Sequence, residues 1–310
     1  MFTSHPTEIG PYKVLEVLGQ GGVGTVYLVQ QREPFRRKAA LKLIKLGMDT
    51  REVLVRFAQE RQMLATMNHP NVAKVFDAGQ TETGRPFFVM EYVAGEPITD
   101  YCDRHRLSVS ERLELFVTVC RAIQHAHQKG ILHRDVKPSN ILVTNQDGKH
   151  VPMVIDFGLA KVLRTEPASA HLLTREGQFL GTPRYMSPEQ CLNQPVDARS
   201  DLYSLGVVTY QMLTGEPPFN APTVAGILMK QITELPPPVG QKRPDCPEDL
   251  ALAVTRCLEK DPENRWPSAD ALRRSLESRT VTGYRPTGQT KAGGRGTLGG
   301  AQPSRRTSGG

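Results

Sequence analysis

Short apolar runs recur through the first ninety residues, and their composition predicts β-strands. The runs are rich in Val, Leu, Ile, Phe and Tyr, and turns with Gly, Pro or charged residues separate them, which is typical of strands. They cover residues 12–18, 24–30, 38–45 and 86–92. One helix, predicted at about 51–67, interrupts the set. We therefore expect the N-terminal part of the chain to be mostly β.

Beyond Gly95 the apolar residues follow a helical period instead. A first apolar face comprises Leu113, Phe116, Val117, Cys120 and Ile123. It begins near a candidate capping box, Ser108–Glu111, and ends at Gly130. A second face comprises Leu202, Leu205, Val208 and Met212, and Gly215 follows it. The pattern predicts a mostly α C-terminal part, with a hinge near residues 91–96.

The positive charge of the chain is concentrated at its C-terminal end. The 310 residues include 39 Lys or Arg and 32 Asp or Glu, which gives a formal charge of +7. The last acidic residue is Glu277, and residues 1–278 carry 33 basic and 32 acidic groups. A nucleic-acid-binding domain needs basic groups clustered on a folded face. The nearly neutral remainder therefore argues against nucleic acid as a partner.

Two segments are predicted to lack regular structure. Residues 280–310 contain nine glycines, one aromatic residue and no acidic residue. They have little to bury, so we expect disorder there. Residues 163–178 are polar and irregular, and we expect them to form a mobile loop.

Cysteine usage and the absence of targeting signals predict a soluble, cytoplasmic protein. The five cysteines include no CxxC pair, which favours reduced thiols. The N-terminus shows no basic segment followed by an apolar one, so no secretory signal is predicted. No stretch approaches ~18 uninterrupted apolar residues, the length that spans a membrane.

A glycine-rich loop lies between the first two predicted strands. Gly19, Gly21 and Gly24 fit the pattern G-x-G-x-x-G. In a dinucleotide-binding fold this pattern opens a helix, whereas here strand-forming residues follow it. Such a hairpin can lay backbone N–H groups over phosphates. An ordinary hairpin turn explains the pattern equally well.

Lys42 and Glu60 form a candidate charge pair. Lys42 lies within the predicted strand at 38–45, and Glu60 falls on the apolar face of the helix at 51–67. An unpaired carboxylate on that face would be costly. A Lys42–Glu60 pair would hold the lysine against the α- and β-phosphates of a nucleotide. Alternatively, Glu60 lies at the edge of the face in water.

Four further motifs follow in order: HRDVKPSN at 133–140, DFG at 156–158, GTPRYMSPE at 181–189 and DARSD at 197–201. Together with the glycine-rich loop, they resemble the catalytic core of the eukaryotic-like protein kinases, in their bacterial Ser/Thr branch. The resemblance runs from about Tyr12 to about Leu276.

The resemblance implies an α+β, bilobal protein-kinase-like fold. Residues 1–93 would form a small, mainly antiparallel β N-lobe with one key helix. Residues 94–279 would form a larger, mainly α C-lobe, and residues 280–310 a basic Gly-rich tail.

The resemblance also implies phosphoryl transfer from ATP. Asp135 would accept the proton of a substrate hydroxyl and orient it toward the γ-phosphate, and Lys137 would neutralise charge on the transferring group. Asn140 and Asp156 would hold Mg²⁺, with Mn²⁺ as an alternative, through the hard oxygen ligands that this ion prefers.

Nucleotide binding is implied for a set of residues in and near the N-lobe. Lys42 and Glu60 would anchor the phosphates beneath the glycine-rich loop. The residues around the adenine ring would be Leu18, Val26, Ala40 and Leu142, with Met90 as gatekeeper and Glu91 to Val93 as hinge.

Other residues match structural positions of the kinase family. His133 and Asp201 resemble internal struts, and Glu189 and Arg265 resemble a buried ion pair. Thr182 is expected to bond near the catalytic aspartate and to support Ser/Thr acceptors.

Regulation is expected from the segment between Asp156 and Glu189. Arg134 directly precedes the catalytic aspartate, and kinases of this form are often switched by phosphorylation of that segment. Thr174 is the predicted autophosphorylation site. A flexible polar loop without a switch is the alternative.

Three functional hypotheses follow. The first is an active Mg²⁺- and ATP-dependent protein kinase that acts on Ser and Thr of protein substrates and on itself. The second is a pseudokinase-like scaffold or nucleotide sensor, which the complete set of catalytic residues disfavours. The third is a small-molecule kinase, which the 181–189 motif and Arg265 disfavour. A transient dimer stays open, as does the choice between a free cytosolic kinase and the catalytic part of a longer protein.

Overall fold

The strands of the N-terminal part pair into one antiparallel sheet. The structure, a computed structural model, describes residues 5–21, 24–33, 35–45, 66–157 and 183–278. The sheet has the order β1-β2-β3-β4-β6-β5. Its strands are β1 Glu8–Ile9, β2 Tyr12–Gln20, β3 Gly24–Gln31, β4 Arg37–Ile44, β5 Val75–Gln80 and β6 Pro86–Glu91. The four strands predicted from the apolar runs correspond to β2, β3, β4 and β6, so their prediction is confirmed.

Strand β4 is buried on both faces, which explains its nearly continuous apolar sequence. Ala39 and Leu41 pack in a small cluster on the outer face of the sheet. Ala40 and Ile44 belong instead to the large core that continues into the helical part. Because alternate residues of a strand point to opposite faces, Lys42 shares the face of Ala40.

Strand β5 was not predicted. Its sequence, VFDAGQ, contains Asp, Gly and Ala, which are depleted in strands. Tertiary contacts compensate for this weak local preference. The strand pairs with β6, and the hydroxyl of Tyr12 donates a hydrogen bond to Asp77 at 2.7 Å.

The C-terminal, mainly helical part contains a second, three-stranded sheet in the order β7-β8-β9. Its strands are β7 Glu96–Pro97, β8 Ile141–Gln146 and β9 Lys149–Val154. The helices described are α1 Ile98–Arg104, α2 Val109–Gln128, α3 Pro188–Cys191, α4 Ala198–Thr214, α5 Val224–Thr233, α6 Val239–Lys242, α7 Glu248–Cys257 and α8 Ala269–Ser278.

The ends of the two long helices match their sequence signals. The hydroxyl of Ser108 accepts the N–H of Glu111, and the Glu111 carboxylate accepts the N–H of Ser108, so the predicted capping box at the start of α2 is confirmed. Helix α4 ends at Gly215, which adopts a left-handed conformation with φ of +86°. Both helices pack in the large core, and α4 is buried along most of its length.

The fold is that of a bilobal α+β domain, as predicted. Strand β6 ends at Glu91 and β7 begins at Glu96, so the expected hinge lies between the two sheets. The proposed lobe boundaries at residues 93 and 279 stay predictions. The predicted helix at 51–67, apart from its last two residues, the mobile loop at 163–178 and the tail at 280–310 lie outside the described residues. Among the described helices, none is long and apolar enough to cross a membrane.

Candidate active site

A cleft of about 480 Å³ lies between the six-stranded sheet and the helical part. It brings together residues from β2, β3, β4, β6, β8 and the 133–140 and 155–156 segments. The residues predicted from the sequence that line it are Leu18, Gly19, Gly21, Gly24, Val26, Ala40, Lys42, Met90, Glu91, Val93, Asp135, Lys137, Asn140, Leu142 and Asp156. Five further residues line the cleft: Tyr92 and Gly95, which lie within the predicted hinge, and Gln20, Ser139 and Ile155, for which the sequence predicted no role in the site.

The sheet register aligns the roof of this cleft. Val26 pairs with Lys42, and Ala40 pairs with Met90. Since paired residues of antiparallel strands point to the same face, these side chains all project toward the cleft. Their shared face was not predictable from the separate runs, because it depends on the register between strands.

The glycine-rich loop combines a tight approach with open space. A Cβ at Gly24 would overlap the carbonyl oxygen of Leu43, so only glycine fits there. In contrast, a Cβ at Gly19 or Gly21 would meet nothing within 4 Å. The Gly21 N–H donates to the Gly24 carbonyl at 2.9 Å and closes the turn. The loop therefore leaves room beside its backbone for a ligand.

Lys42 forms an ion pair with Asp156. The Nζ atom lies 2.7 Å from Oδ2 of Asp156, and the two side chains are 14% and 16% exposed. The predicted partner Glu60 lies outside the described residues, so the Lys42–Glu60 pair stays a prediction. The observed pair joins β4 to the segment after β9 and places a cation and a carboxylate at one point of the cleft.

The loop from His133 to Asn140 gathers a second set of charged and polar groups. The Nζ atom of Lys137 lies 2.7 Å from Oδ2 of Asp135. The carboxamide of Asn140 donates to the Asp135 carbonyl at 2.8 Å and to Oδ2 of Asp135 at 3.2 Å. The carbonyl of Asn140 in turn accepts the N–H of Ile155 at 2.9 Å, which ties this loop to the segment that carries Asp156.

Two residues of the site have left-handed backbone conformations. Arg134 has φ of +64° and Asp156 has φ of +63°. Such conformations are uncommon for residues other than glycine and persist only where the surroundings enforce them.

Asp201 enforces the conformation at Arg134. Its buried carboxylate accepts the backbone N–H of His133 at 2.8 Å and that of Arg134 at 2.7 Å. Burial raises the pKa of Asp201, but the hydrogen bond and charge of His127, followed by the contribution of His133, lower it below its ordinary value. The carboxylate is therefore ionised and anchors the loop from His133 to Asn140, which we call the catalytic loop, in the position expected for an internal strut.

A family model described as "Protein kinase domain" matches residues 12–276 of this sequence. The chain belongs to the protein kinase family. The matched range agrees with the extent of the resemblance seen in the sequence motifs.

Bacterial protein kinases are among the relatives. The chain is 36% identical over 280 residues to Serine/threonine-protein kinase PknB of Mycobacterium leprae, an alignment covering 88% of this chain and 44% of the relative. It is 38% identical over 274 residues to Serine/threonine-protein kinase pkn3 of Myxococcus xanthus, covering 86% of this chain and 49% of the relative. The chain thus spans about half the length of these curated relatives.

Solved kinase domains share the fold. The crystal structure of the PknI kinase domain of Mycobacterium tuberculosis is similar, with a TM-score of 0.67 and 27% sequence identity. The similarity covers 89% of this chain and 100% of that one. The predicted family and the predicted bilobal kinase fold are therefore confirmed.

A buried ion pair stabilises the C-terminal, mainly helical part of the kinase fold. The guanidinium of Arg265 donates to the two carboxylate oxygens of Glu189 at 2.7 and 2.8 Å. The side chains of Arg265 and Glu189 are only 0% and 6% exposed. Burial raises the pKa of Glu189, but the hydrogen bonds and charge of Arg265 and the hydroxyl of Ser200 lower it below its ordinary value. The ion pair that the resemblance to the kinase family implied is therefore present in the structure.

Helix α3 makes a contact to the catalytic loop that the sequence analysis missed. The carboxamide of Gln190 donates to the carbonyl of Arg134 at 2.9 Å. Ser187 and Gln190 also form a capping box at the start of α3. The signal was visible as Ser-x-x-Gln, since this spacing is typical of a helix start.

Three residues that the sequence assigned to the site are not among those that the structure describes. Glu60, Thr174 and Thr182 lie outside the described residues, and their roles stay predictions. His133 is placed as an internal residue, because its Nε2 atom lies 3.0 Å from the carbonyl oxygen of Ile155 and its ring lies 4.7 Å from that of Phe157.

Proposed function

We propose that this chain is an ATP-dependent protein kinase that transfers the γ-phosphate to Ser and Thr hydroxyls of proteins. The observation that carries the proposal is that one cleft contains both charge clusters, Lys42 with Asp156 and Asp135 with Lys137 and Asn140. Loose, charge-rich phosphoryl transfer depends on such positioned charges rather than on covalent chemistry. Membership of the protein kinase family and the names of the bacterial relatives also support it.

Asp135 orients the acceptor and Lys137 stabilises charge. The Asp135 carboxylate accepts the hydroxyl proton of the substrate and aims its oxygen at the γ-phosphate. The Lys137 ammonium, 2.7 Å from that carboxylate, stabilises negative charge on the transferring group. Asn140 holds the loop in this arrangement through its hydrogen bonds to Asp135.

The roof of the cleft and Leu142 of strand β8 bind the nucleotide. Val26, Ala40 and Met90 in the roof, together with Leu142, offer the apolar surfaces for adenine, with Leu18 at the entrance and the 91–93 segment alongside. Lys42 binds the α- and β-phosphates, with Glu60 as its proposed second partner. The open space at Gly19 and Gly21 allows the loop backbone to approach the phosphates.

The residues at the floor of the cleft fit a divalent cation. Asn140 and Asp156 offer amide and carboxylate oxygens, the hard donors that Mg²⁺ prefers, and both line the cleft. We propose that these two residues hold Mg²⁺, with Mn²⁺ as an alternative. An ion held there would supply positive charge against the phosphates.

The remaining proposals concern regulation, cellular location and partners. Thr174 is the proposed autophosphorylation site, and Thr182 the proposed support for Ser/Thr acceptors. A cytoplasmic location is proposed because all five cysteines are free, which suits a reducing compartment. The proposed partners are protein substrates and a transient second copy of the chain, with no nucleic acid.

Transfer of labelled phosphate tests the proposed activity. The chain is incubated with γ-labelled ATP, Mg²⁺ and a library of peptides that each carry one Ser, Thr or Tyr. Label on Ser and Thr peptides, and its absence with Asp135→Asn, supports the proposal. ATP binding without transfer to any peptide or to the chain itself favours the scaffold or nucleotide-sensing alternative. Mass spectrometry of the active chain locates self-phosphorylation, and an unmodified Thr174 in fully active protein refutes that site.

A further inference from the structure

A short turn beside the catalytic loop is held in place by hydrogen bonds that its three successive backbone carbonyls accept. The 3-10 turn Pro183–Tyr185 is the first described segment after residue 157. The carboxamide of Gln231 in helix α5 donates to the Arg184 carbonyl at 2.6 Å and to that of Pro183 at 3.4 Å. The hydroxyl of Ser204 in α4 donates to the Tyr185 carbonyl at 2.6 Å. Two helices thus fix the backbone of one turn.

Gln231 is an unusual residue for its place. It is fully buried, although glutamine is mostly found on protein surfaces. Its carboxamide oxygen accepts a hydrogen bond of 2.6 Å from the hydroxyl of Tyr203 in α4, which is buried as well. Its nitrogen is thereby left to donate to the turn. A carboxamide with both ends bonded has one defined orientation.

Lys260 holds the other end of this chain of hydrogen bonds. Its ammonium donates to the Tyr203 hydroxyl at 3.0 Å and to the main-chain carbonyl oxygen of Gln231 at 2.9 Å. The Nζ atom also lies 4.0 Å from the centre of the Phe219 ring. Donation from Lys260 leaves the Tyr203 hydroxyl proton free to point at Gln231. Lys260, Tyr203 and Gln231 therefore form a directional relay of donors that ends at Arg184.

The supported turn faces solvent near the catalytic loop. The Arg184 side chain is exposed, and those of Pro183 and Tyr185 are half-buried, whereas the carbonyls point inward. Three residues beyond the turn, helix α3 begins, and its Gln190 holds the carbonyl of Arg134 next to Asp135. The turn is therefore an exposed surface tied to the residue that orients the acceptor.

We propose that Gln231, oriented by Tyr203 and Lys260, is a positioning residue for protein substrates. It acts through the Pro183–Tyr185 turn, which contacts the substrate chain next to the acceptor hydroxyl. This inference rests on the proposed kinase function. It predicts that the relay affects binding of the protein substrate and leaves ATP binding alone, because none of its residues lines the nucleotide cleft.

The experiment measures KM for a peptide and for ATP separately. The peptide carries one threonine acceptor and is chosen from a positional library with the wild-type chain. Gln231→Met keeps the size of the side chain but removes both hydrogen-bonding groups. We expect it to raise the peptide KM about tenfold, which corresponds to about 1.4 kcal/mol. The KM for ATP and kcat at saturating peptide should change less than about twofold.

Two further variants separate orientation from packing. Gln231→Glu keeps the acceptor for Tyr203 but loses the donor to the turn, so it should raise the peptide KM as much as Gln231→Met. Tyr203→Phe removes only the hydroxyl and should raise the peptide KM to a smaller extent. The double variant Tyr203→Phe/Gln231→Met should be no worse than Gln231→Met alone, since both changes break one relay.

Ile227→Ala serves as the matched control. Ile227 is buried in the same helix and belongs to no hydrogen bond of the relay. This variant should lower thermal stability and leave the peptide KM unchanged. An unchanged peptide KM in Gln231→Met overturns the proposal, and so does an equal rise in Ile227→Ala. If Gln231→Met fails to fold, an unchanged peptide KM in Tyr203→Phe overturns it instead. A wild-type chain that transfers no phosphate counts against the proposed kinase function itself.

Discussion

The ammonium group of Lys42 lies 2.7 Å from the carboxylate of Asp156, although 114 residues separate them in the sequence. One residue belongs to strand β4 of the N-terminal sheet and the other follows strand β9. Because both side chains are largely shielded from water, the contact is stronger than an exposed ion pair would be. The pair joins the nucleotide side of the cleft to the proposed metal-binding side.

Replacement of Lys42 should reduce catalysis without unfolding the chain. Lys42→Met removes the cation proposed to bind the phosphates, so kcat/KM should fall about 10²- to 10³-fold, the range found when one positioned charge is removed. The matched control is Lys38→Met, on the same strand but exposed. Its kcat/KM should equal that of the wild type. Equal losses in both variants would contradict the assigned role of Lys42.

Replacement of Asp201 tests the support of the catalytic loop. Asp201→Asn keeps the size of the side chain but weakens the acceptor for the N–H groups of His133 and Arg134. The left-handed backbone at Arg134 should relax, and kcat should fall about tenfold or more because Asp135 is displaced. The KM for ATP should change little. Steady-state kinetics with both substrates varied makes the measurement, and an unaltered kcat would show that the loop holds its shape without this carboxylate.

The buried Glu189–Arg265 pair should contribute strongly to the stability of the C-lobe. Arg265→Leu leaves the Glu189 carboxylate buried and unpaired, so the free energy of unfolding should fall by about 3–5 kcal/mol. As a control, Arg104→Met breaks the exposed pair with Glu96 and should cost about 1 kcal/mol or less. Denaturant unfolding with circular dichroism measures both. Similar losses would show that burial does not set the strength of these pairs.

Acid should remove the same stabilisation in the wild type. The pKa of Glu189 is lower in the folded chain than its ordinary value of 4.5. The unfolded state therefore binds more protons, and the stabilisation is present above about pH 4.5 and lost as the pH falls through the folded pKa. The difference in unfolding free energy between wild type and Glu189→Gln should shrink below pH 4.5. A difference that stays constant down to pH 3 would contradict the lowered pKa.

Lys260 should make stability depend on pH in the alkaline range. Burial, and then the charge of Arg265, lower the pKa of Lys260 from 10.5 to about 8, against smaller opposite effects of Cys191, Glu234 and Glu259. Between these two values the unfolded chain binds the extra proton, so the free energy of unfolding rises with pH. The rise relative to Lys260→Met should be on the order of 2 kcal/mol, since one pKa unit equals about 1.4 kcal/mol and the side chain is partly exposed. Parallel stability curves for the two proteins between pH 8 and 10.5 would refute this assignment.

Local sequence signals predicted much of the fold. The strands β2, β3, β4 and β6, the Ser108–Glu111 capping box and the helix end at Gly215 follow from patterns within a few residues. Strand β5 and the shorter helices α1, α3 and α5 to α8 were not predicted individually. Strand β5 depends on pairing with β6 and on the Tyr12–Asp77 hydrogen bond, both of which join distant parts of the chain.

The residue types of the site were predictable, but their contacts were not. The motifs identified Lys42, Asp135, Lys137, Asn140 and Asp156, and the cleft brings all five together. The observed contact between Lys42 and Asp156 depends on the placement of β4 against the segment after β9, which no local pattern encodes. The same holds for the relay to Gln231. A buried glutamine cannot be told from an exposed one until helix α5 is placed.

Transfer of phosphate by the wild type and by Asp135→Asn tests the central claim most directly. The two proteins are compared with γ-labelled ATP, Mg²⁺ and one Ser/Thr peptide, and ATP binding is measured in parallel. The account predicts transfer by the wild type, a loss of at least about 10²-fold in Asp135→Asn, and similar ATP affinity in both. Equal transfer by the two proteins, or ATP binding with no transfer by the wild type, would contradict it.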